Sequence, residues 1–154
     1  MLDNMEILDV PAQPTAAIHL TIPRDEIRHV MGPAISEVYG ALAAQGVRPA
    51  GPWLSHHFRM LPDVFDFAVS VPVATAVTPV GRVQPSELPA CKVARTTYRG
   101  PYEGLGDAWG KFRAQIAAQG LESAPGLWEV YAVGPDRSQN PADWETQLNQ
   151  ILVG

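Results

Sequence analysis

Apolar positions along the chain switch twice from a strand-like run to a helical period. Residues Ala16 to Ile22 and Lys92 to Tyr98 read as strands. Each is followed by apolar residues at 4, 3, 4 spacing, one face of a helix: Met31, Ile35, Val38 and Leu42, then Leu105, Trp109, Phe112 and Ile116. The tetrapeptide AAQG closes both stretches, at Ala43 to Gly46 and Ala117 to Gly120, an offset of 74 residues. The same register pairs Gly32 with Gly106 and Ala34 with Ala108, and it places Gly46 and Gly120 where a helix wants a left-handed C-terminal residue. After each helix comes a Pro/Gly turn and a hairpin-like pair, WLSHHFRM with DFAVSVPV and LWEVYAV with WETQLNQILV. Each half therefore reads β-α-β-β. A sheet with one helix-covered face needs a second layer, so the expected fold is a pseudo-twofold duplicated α+β domain around a central ligand cleft. The expected bounds are a single domain over 1–154, with repeats over roughly 14–74 and 90–154. The segment from Ala74 to Ala90, with its four Pro and Gly breaks, is the expected crossover.

Composition narrows the function classes. A net charge of −5 with no basic run argues against direct contact with nucleic acid, whose backbone is bound by clustered Lys and Arg. Cys91 is the single cysteine, so no intrachain disulfide forms and a reducing compartment is expected. No apolar stretch approaches a membrane span, and the acidic MLDNMEILDV segment lacks the basic flank of a signal peptide. These features together imply a cytoplasmic protein without membrane partners.

The sharpest local signal is Glu129 within GLWEVYAVGP. Alternation puts Glu129 and Tyr131 on one face and Trp128 and Val130 on the other, so both faces carry an aromatic. A carboxylate removed from water costs several kcal/mol unless it is paired or hydrogen-bonded. Three readings fit: a half-exposed glutamate or one bridged to Arg95 or Arg99, an anchor for lipophilic cations, or a general acid–base group. At the offset of 74, Glu129 matches Ser55 and Tyr131 matches His57, so the carboxylate belongs to one half only.

Other motifs carry less. GPYEGLGDAW has glycines at 100, 104 and 106, which is not a phosphate-loop pattern, and reads as a tight turn. Tyr102 and Trp109 flank it as candidate aromatic walls, Trp109 being a core position by periodicity. His56 and His57 are adjacent on a strand and point to opposite faces, and His19 and His29 lack a partner at ligand spacing, so no metal is expected. Cys91 reads as a buried inert thiol, and Ser55 with His57 has no third member of a triad.

In sum, the segments YRGPYEGLGDAWGKF, AAQGL, LWEVYAVGP and Trp144-Glu145-Thr146, with MGPAISEVYGALAAQGV, LPDVFDFAVSVPV and ELPACKVA before them, resemble the GyrI-like small-molecule-binding family. This is the effector-binding domain of multidrug-sensing AraC/MerR-type transcription regulators. The resemblance covers nearly the whole chain and implies two SHS2-like halves around a ligand cleft. It implies that Glu129 meets cationic aromatic ligands, with Tyr131, Trp109 and Tyr102 as pocket aromatics and His57 and Phe67 as further pocket members. His57 stands where many relatives carry Tyr. The regulators have a DNA-binding domain before this module, whereas this chain looks like a stand-alone form. The leading expectation is a non-catalytic binder of amphipathic cationic aromatic compounds, needing no cofactor. The alternatives are a hydrolase of cyclopropane-bearing or other electrophilic xenobiotics, using Glu129 and Tyr131 as catalytic groups, and an inhibitor-like protein partnering DNA gyrase or a regulator.

Overall fold

The computed structural model describes residues 2–135 and 137–153, with the side chains of Arg28 and Met60 left aside. In chain order the elements are β1 (Glu6–Val10), β2 (Gln13–Pro23), α1 (Ile27–Gln45), β3 (Leu54–Met60), β4 (Val64–Pro72), β5 (Gln84–Leu88), β6 (Cys91–Arg99), α2 (Leu105–Ala118), β7 (Ser123–Val133) and β8 (Glu145–Leu152). Short 3-10 turns precede α1 and α2 at Arg24–Glu26 and Tyr102–Gly104. The fold is thus mixed α and β, with antiparallel strand pairing throughout the pairs described below.

The chain divides into two compact units. The unit of residues 11–90 is a four-stranded antiparallel sheet in the order β3-β4-β2-β5 with α1 on one face. Alternate residues Ala16 and Ile18 of β2 and Phe67, Val69 and Val71 of β4 meet Ala34, Val38, Ala41 and Leu42 of α1 in the core. Met31 and Ile35, on the predicted helix face, are partly buried against the same cluster. The unit of residues 2–10 and 91–153 has the order β1-β6-β8-β7 with α2 on one face. Here Ala94, Tyr98, Leu127, Leu148 and Leu152 pack on Ala108, Trp109, Phe112 and Ile116.

Both helices end the same way. Gly46 and Gly120 adopt positive φ of 67° and 74°. Val47 N–H then reaches Leu42 O at 3.0 Å and Leu121 N–H reaches Ile116 O at 3.2 Å, satisfying carbonyls that the helix leaves open. The following strands share an irregularity: register shifts between His57 and Arg59 in β3 and between Tyr131 and Val133 in β7, positions 74 residues apart.

Two strands depart from the expected pattern. The crossover contains β5, paired to β2 along Gln13↔Leu88 to Ala17↔Gln84, and the N-terminal segment forms β1, paired to β6. No helix among the described residues is long and apolar enough to cross a membrane.

Candidate functional site

Strand β7 fixes Glu129. Its register sets Glu129 opposite Leu148 and Tyr131 opposite Thr146, and Leu148 belongs to the core under α2. Leu127, Glu129 and Tyr131 therefore face α2, while Trp128, 3% exposed, faces away. Trp109, one turn into α2, donates its indole Nε1–H to Glu129 Oε2 at 2.6 Å. Tyr131 Oη donates to Oε1 at 2.8 Å. Each carboxylate oxygen thus accepts from its own neutral donor, which fixes the group's orientation. Trp109 is at once core and site: 7% exposed, it packs on Phe112 at 5.7 Å between centroids. Arg113 lies over the Trp109 ring at 5.4 Å.

The turn before α2 supplies the next aromatic. Tyr98 Oη donates to Pro101 O at 2.8 Å, and a Cβ at Gly104 would collide with that hydroxyl. Gly100 and Gly104 of GPYEGLGDAW thus let the turn close over Tyr98. Tyr102, carried by this turn, meets Tyr131 edge-on at 5.9 Å and 79°, and lies over Trp144 at 4.8 Å and 32°. Trp144 is itself pinned by Nε1–H to Ser138 O at 2.9 Å. Thr146, opposite Tyr131 and fully buried, has an Oγ1 with no hydrogen-bond partner among the described residues.

Four of the six candidate ligand residues, Glu129, Tyr131, Trp109 and Tyr102, thus form one cluster. Trp144, from the Trp144-Glu145-Thr146 segment, joins them through Tyr102. The other two, His57 and Phe67, lie in the unit of residues 11–90 and stack on each other at 5.1 Å and 13°, with Phe65 edge-on to His57. His57 is 6% exposed, and its Nδ1 has no partner among the described residues. Burial, followed by the nearby His56 and Arg24 charges, lowers the His57 pKa to about 4. Its neighbour His56 is lowered to about 4 as well, by burial and by His19.

The arginines considered as partners of Glu129 have other contacts. Arg95 donates to Asn149 Oδ1 at 2.6 Å, and Arg99 pairs with Asp3 and Glu145. His19, expected to lack a carboxylate, is held by Asp66 at 2.5 Å because β2 and β4 pair side by side. Cys91 is half-buried and not fully enclosed as expected, and burial raises its pKa. Among the described residues no group of three or more His, Cys, Asp or Glu is arranged for a metal.

A family model for the GyrI-like small molecule binding domain matches residues 3–148. The chain belongs to this family. Among solved structures, the GyrI-like domain is similar to the C-terminal domain of EcmrR, at 17% identity and a TM-score of 0.83, covering 97% of each chain. In the EcmrR–DNA complex it spans 57% of the longer chain, at 16% identity and a TM-score of 0.84, covering 97% of its own length. It is also similar to a hydrolase from Listeria innocua, at 15% identity and a TM-score of 0.68, covering 97% of this chain and 91% of that one. SAV2435 bound to tetraphenylphosphonium matches at 10% identity and a TM-score of 0.67, covering 99% and 95%. No curated protein matches. These likenesses show that the GyrI-like domain shares its fold with these proteins.

Proposed function

We propose that this GyrI-like domain binds amphipathic aromatic cations, with Glu129 as charge partner and Tyr131, Trp109, Tyr102 and Trp144 as aromatic surfaces. The observation that supports this is the Glu129 carboxylate held by two neutral donors beside a run of four aromatic rings. A fixed carboxylate attracts the cation, and indole and phenol faces add cation–π and apolar contact to its rings. Tetraphenylphosphonium, the ligand of a structural neighbour, has this chemistry. A thermal-shift and titration series with tetraphenylphosphonium and neutral triphenylphosphine oxide tests the reading, because a ligand of the folded state raises the melting temperature. Binding of the cation at least tenfold tighter supports it; equal binding, or none, defeats it.

The shared helix ends and strand irregularities at the offset of 74 also support descent of the two units from one β-α-β-β module. Hydrolysis of electrophilic xenobiotics is the second reading. It draws on the buried Thr146 Oγ1 opposite Tyr131, a polar atom suited to a water beside the Glu129 carboxylate. Mass spectrometry of a cyclopropane-bearing alkylator incubated with the protein separates the two: a hydrated product favours hydrolysis, and unchanged compound leaves binding.

A further inference from the structure

The face of the 11–90 sheet turned away from α1 carries a half-open cavity of about 500 Å3. It is lined by Ala17, His19, Phe58, Ala68, Arg82 and Gln84, with Pro85 and Ser86 at its β5 side. That size is ordinary for a small-molecule site. Its floor exists because β2 and β4 place Ala17 and Ala68 there, 4% and 2% exposed, where larger side chains would fill the space. The irregularity in β3 completes a wall: with an extra residue in the strand, Phe58 packs against His19 at 4.8 Å while Arg59 turns to Asp66.

Asp66 sits behind the cavity, not in its lining. Its Oδ1 receives His19 Nε2 at 2.5 Å and its Oδ2 receives Arg59 Nε at 2.9 Å. His19 is thereby locked by its Nε2 and keeps Nδ1 for other contacts. The Arg82 guanidinium is engaged by Glu37 on α1, at 3.1 Å, in an exposed pair that a ligand carboxylate displaces when it takes Arg82. Of the polar side chains in the lining, Arg82, Gln84 and Ser86 can donate a hydrogen bond, His19 has its Nε2–H committed to Asp66, and no carboxylate lines the cavity.

We infer that this cavity is a separate site for small aromatic carboxylates. The ring packs between Phe58, Pro85 and the two alanines, and the carboxylate lies toward Arg82, Gln84 and Ser86. The sign of its preference is opposite to that of the Glu129 cluster, so one small domain responds to both acidic and cationic aromatics.

Calorimetric titration of the full chain with 2-naphthoate and its neutral amide, 2-naphthamide, tests this. The acid binds at least about fivefold tighter than the amide, the scale of one partly screened charge contact. Gln84→Glu, at an exposed edge-strand position, weakens the acid about fivefold with an unchanged melting temperature, and Ala68→Leu, checked for folding by its melt, removes binding of both. Glu129→Gln leaves the acid's affinity as it was. Equal affinity for acid and amide, no effect of Gln84→Glu, no binding near 1 mM, or a changed affinity in Glu129→Gln would each overturn the assignment.

Discussion

Replacing Glu129 by Gln removes one negative charge while keeping the shape of the side chain. The amide carbonyl takes the Trp109 indole, which can only donate, and the amide nitrogen faces Tyr131, whose hydroxyl turns round to accept. The local hydrogen bonds therefore survive, and the melting temperature should move little. For tetraphenylphosphonium the charge centre stays about 6 Å from a carboxylate because the phenyl rings surround it. At an effective dielectric of about 20 that is roughly 3 kcal/mol of attraction. Glu129 is only half-buried, so solvent screening and the cost of drying the carboxylate leave about 1–2 kcal/mol. The expected outcome is a Kd about tenfold weaker for the cation. For triphenylphosphine oxide, which lacks a net charge, the change is less than about twofold. Tryptophan quenching or calorimetry on both proteins with both ligands reads the four values. A parallel loss for cation and neutral ligand would show that Glu129 acts through the shape of the site, and the charge-pairing reasoning would be wrong.

Acid should unfold the protein through its buried histidines. Unfolded His binds a proton below about pH 6.5, whereas folded His57 stays neutral until about pH 4, so the unfolded state holds more protons in this window and acidification destabilises the fold. Denaturant melts at pH 7 and pH 5 should show His57→Phe losing about 2 kcal/mol less than the parent over that step. Asp66 adds a lower window: His19 above all, then Arg59, hold its folded carboxyl below the ordinary value, so its contribution is complete above that value and fades as pH falls through the folded one. Asp66→Asn should cost about 1–2 kcal/mol at neutral pH, and the cost should shrink in melts below pH 4. Gly104→Ala should cost about 1–3 kcal/mol by driving a Cβ into the hydrogen-bonded Tyr98 hydroxyl, while Gly106→Ala, with open space around it in α2, should stabilise by about 0.5–1 kcal/mol; thermal melts distinguish the signs.

Elements with their own apolar period were legible in the chain, and elements defined by their neighbours were not. The 4, 3, 4 spacing of Leu105, Trp109, Phe112 and Ile116 marks the buried face of α2, and the two AAQG glycines mark both helix ends. β1 and β5 are five residues each, largely exposed, and bury too little to show alternation; their pairing with the edges of β6 and β2 makes them strands. The face of Glu129 followed from period two, but its donors did not. Trp109 lies 20 residues away and reads as core, since a helix period cannot show that an indole nitrogen points out of the cluster it fills. The His19–Asp66 pair spans 47 residues and exists through strand register alone.

Register also explains why the carboxylate belongs to one unit. Ser55 and Glu129 each sit two residues before the same register shift, in strands of matched backbone. Ser55 is fully buried opposite Val69, also fully buried, whereas Glu129 is half-buried. The differences extend to the partners. The α1 position matching Trp109 is Ile35, which has no donor, and the β3 position matching Tyr131 is His57, whose ring stacks on Phe67. A carboxylate at residue 55 would find Ile35 and His57 at the positions where Glu129 finds Trp109 and Tyr131, and an ionised group there would bear its desolvation cost without those two donors. Glu129, Trp109 and Tyr131 thus form one unit of three coupled choices. Their single substitutions should combine non-additively, as residues sharing one hydrogen-bond network do.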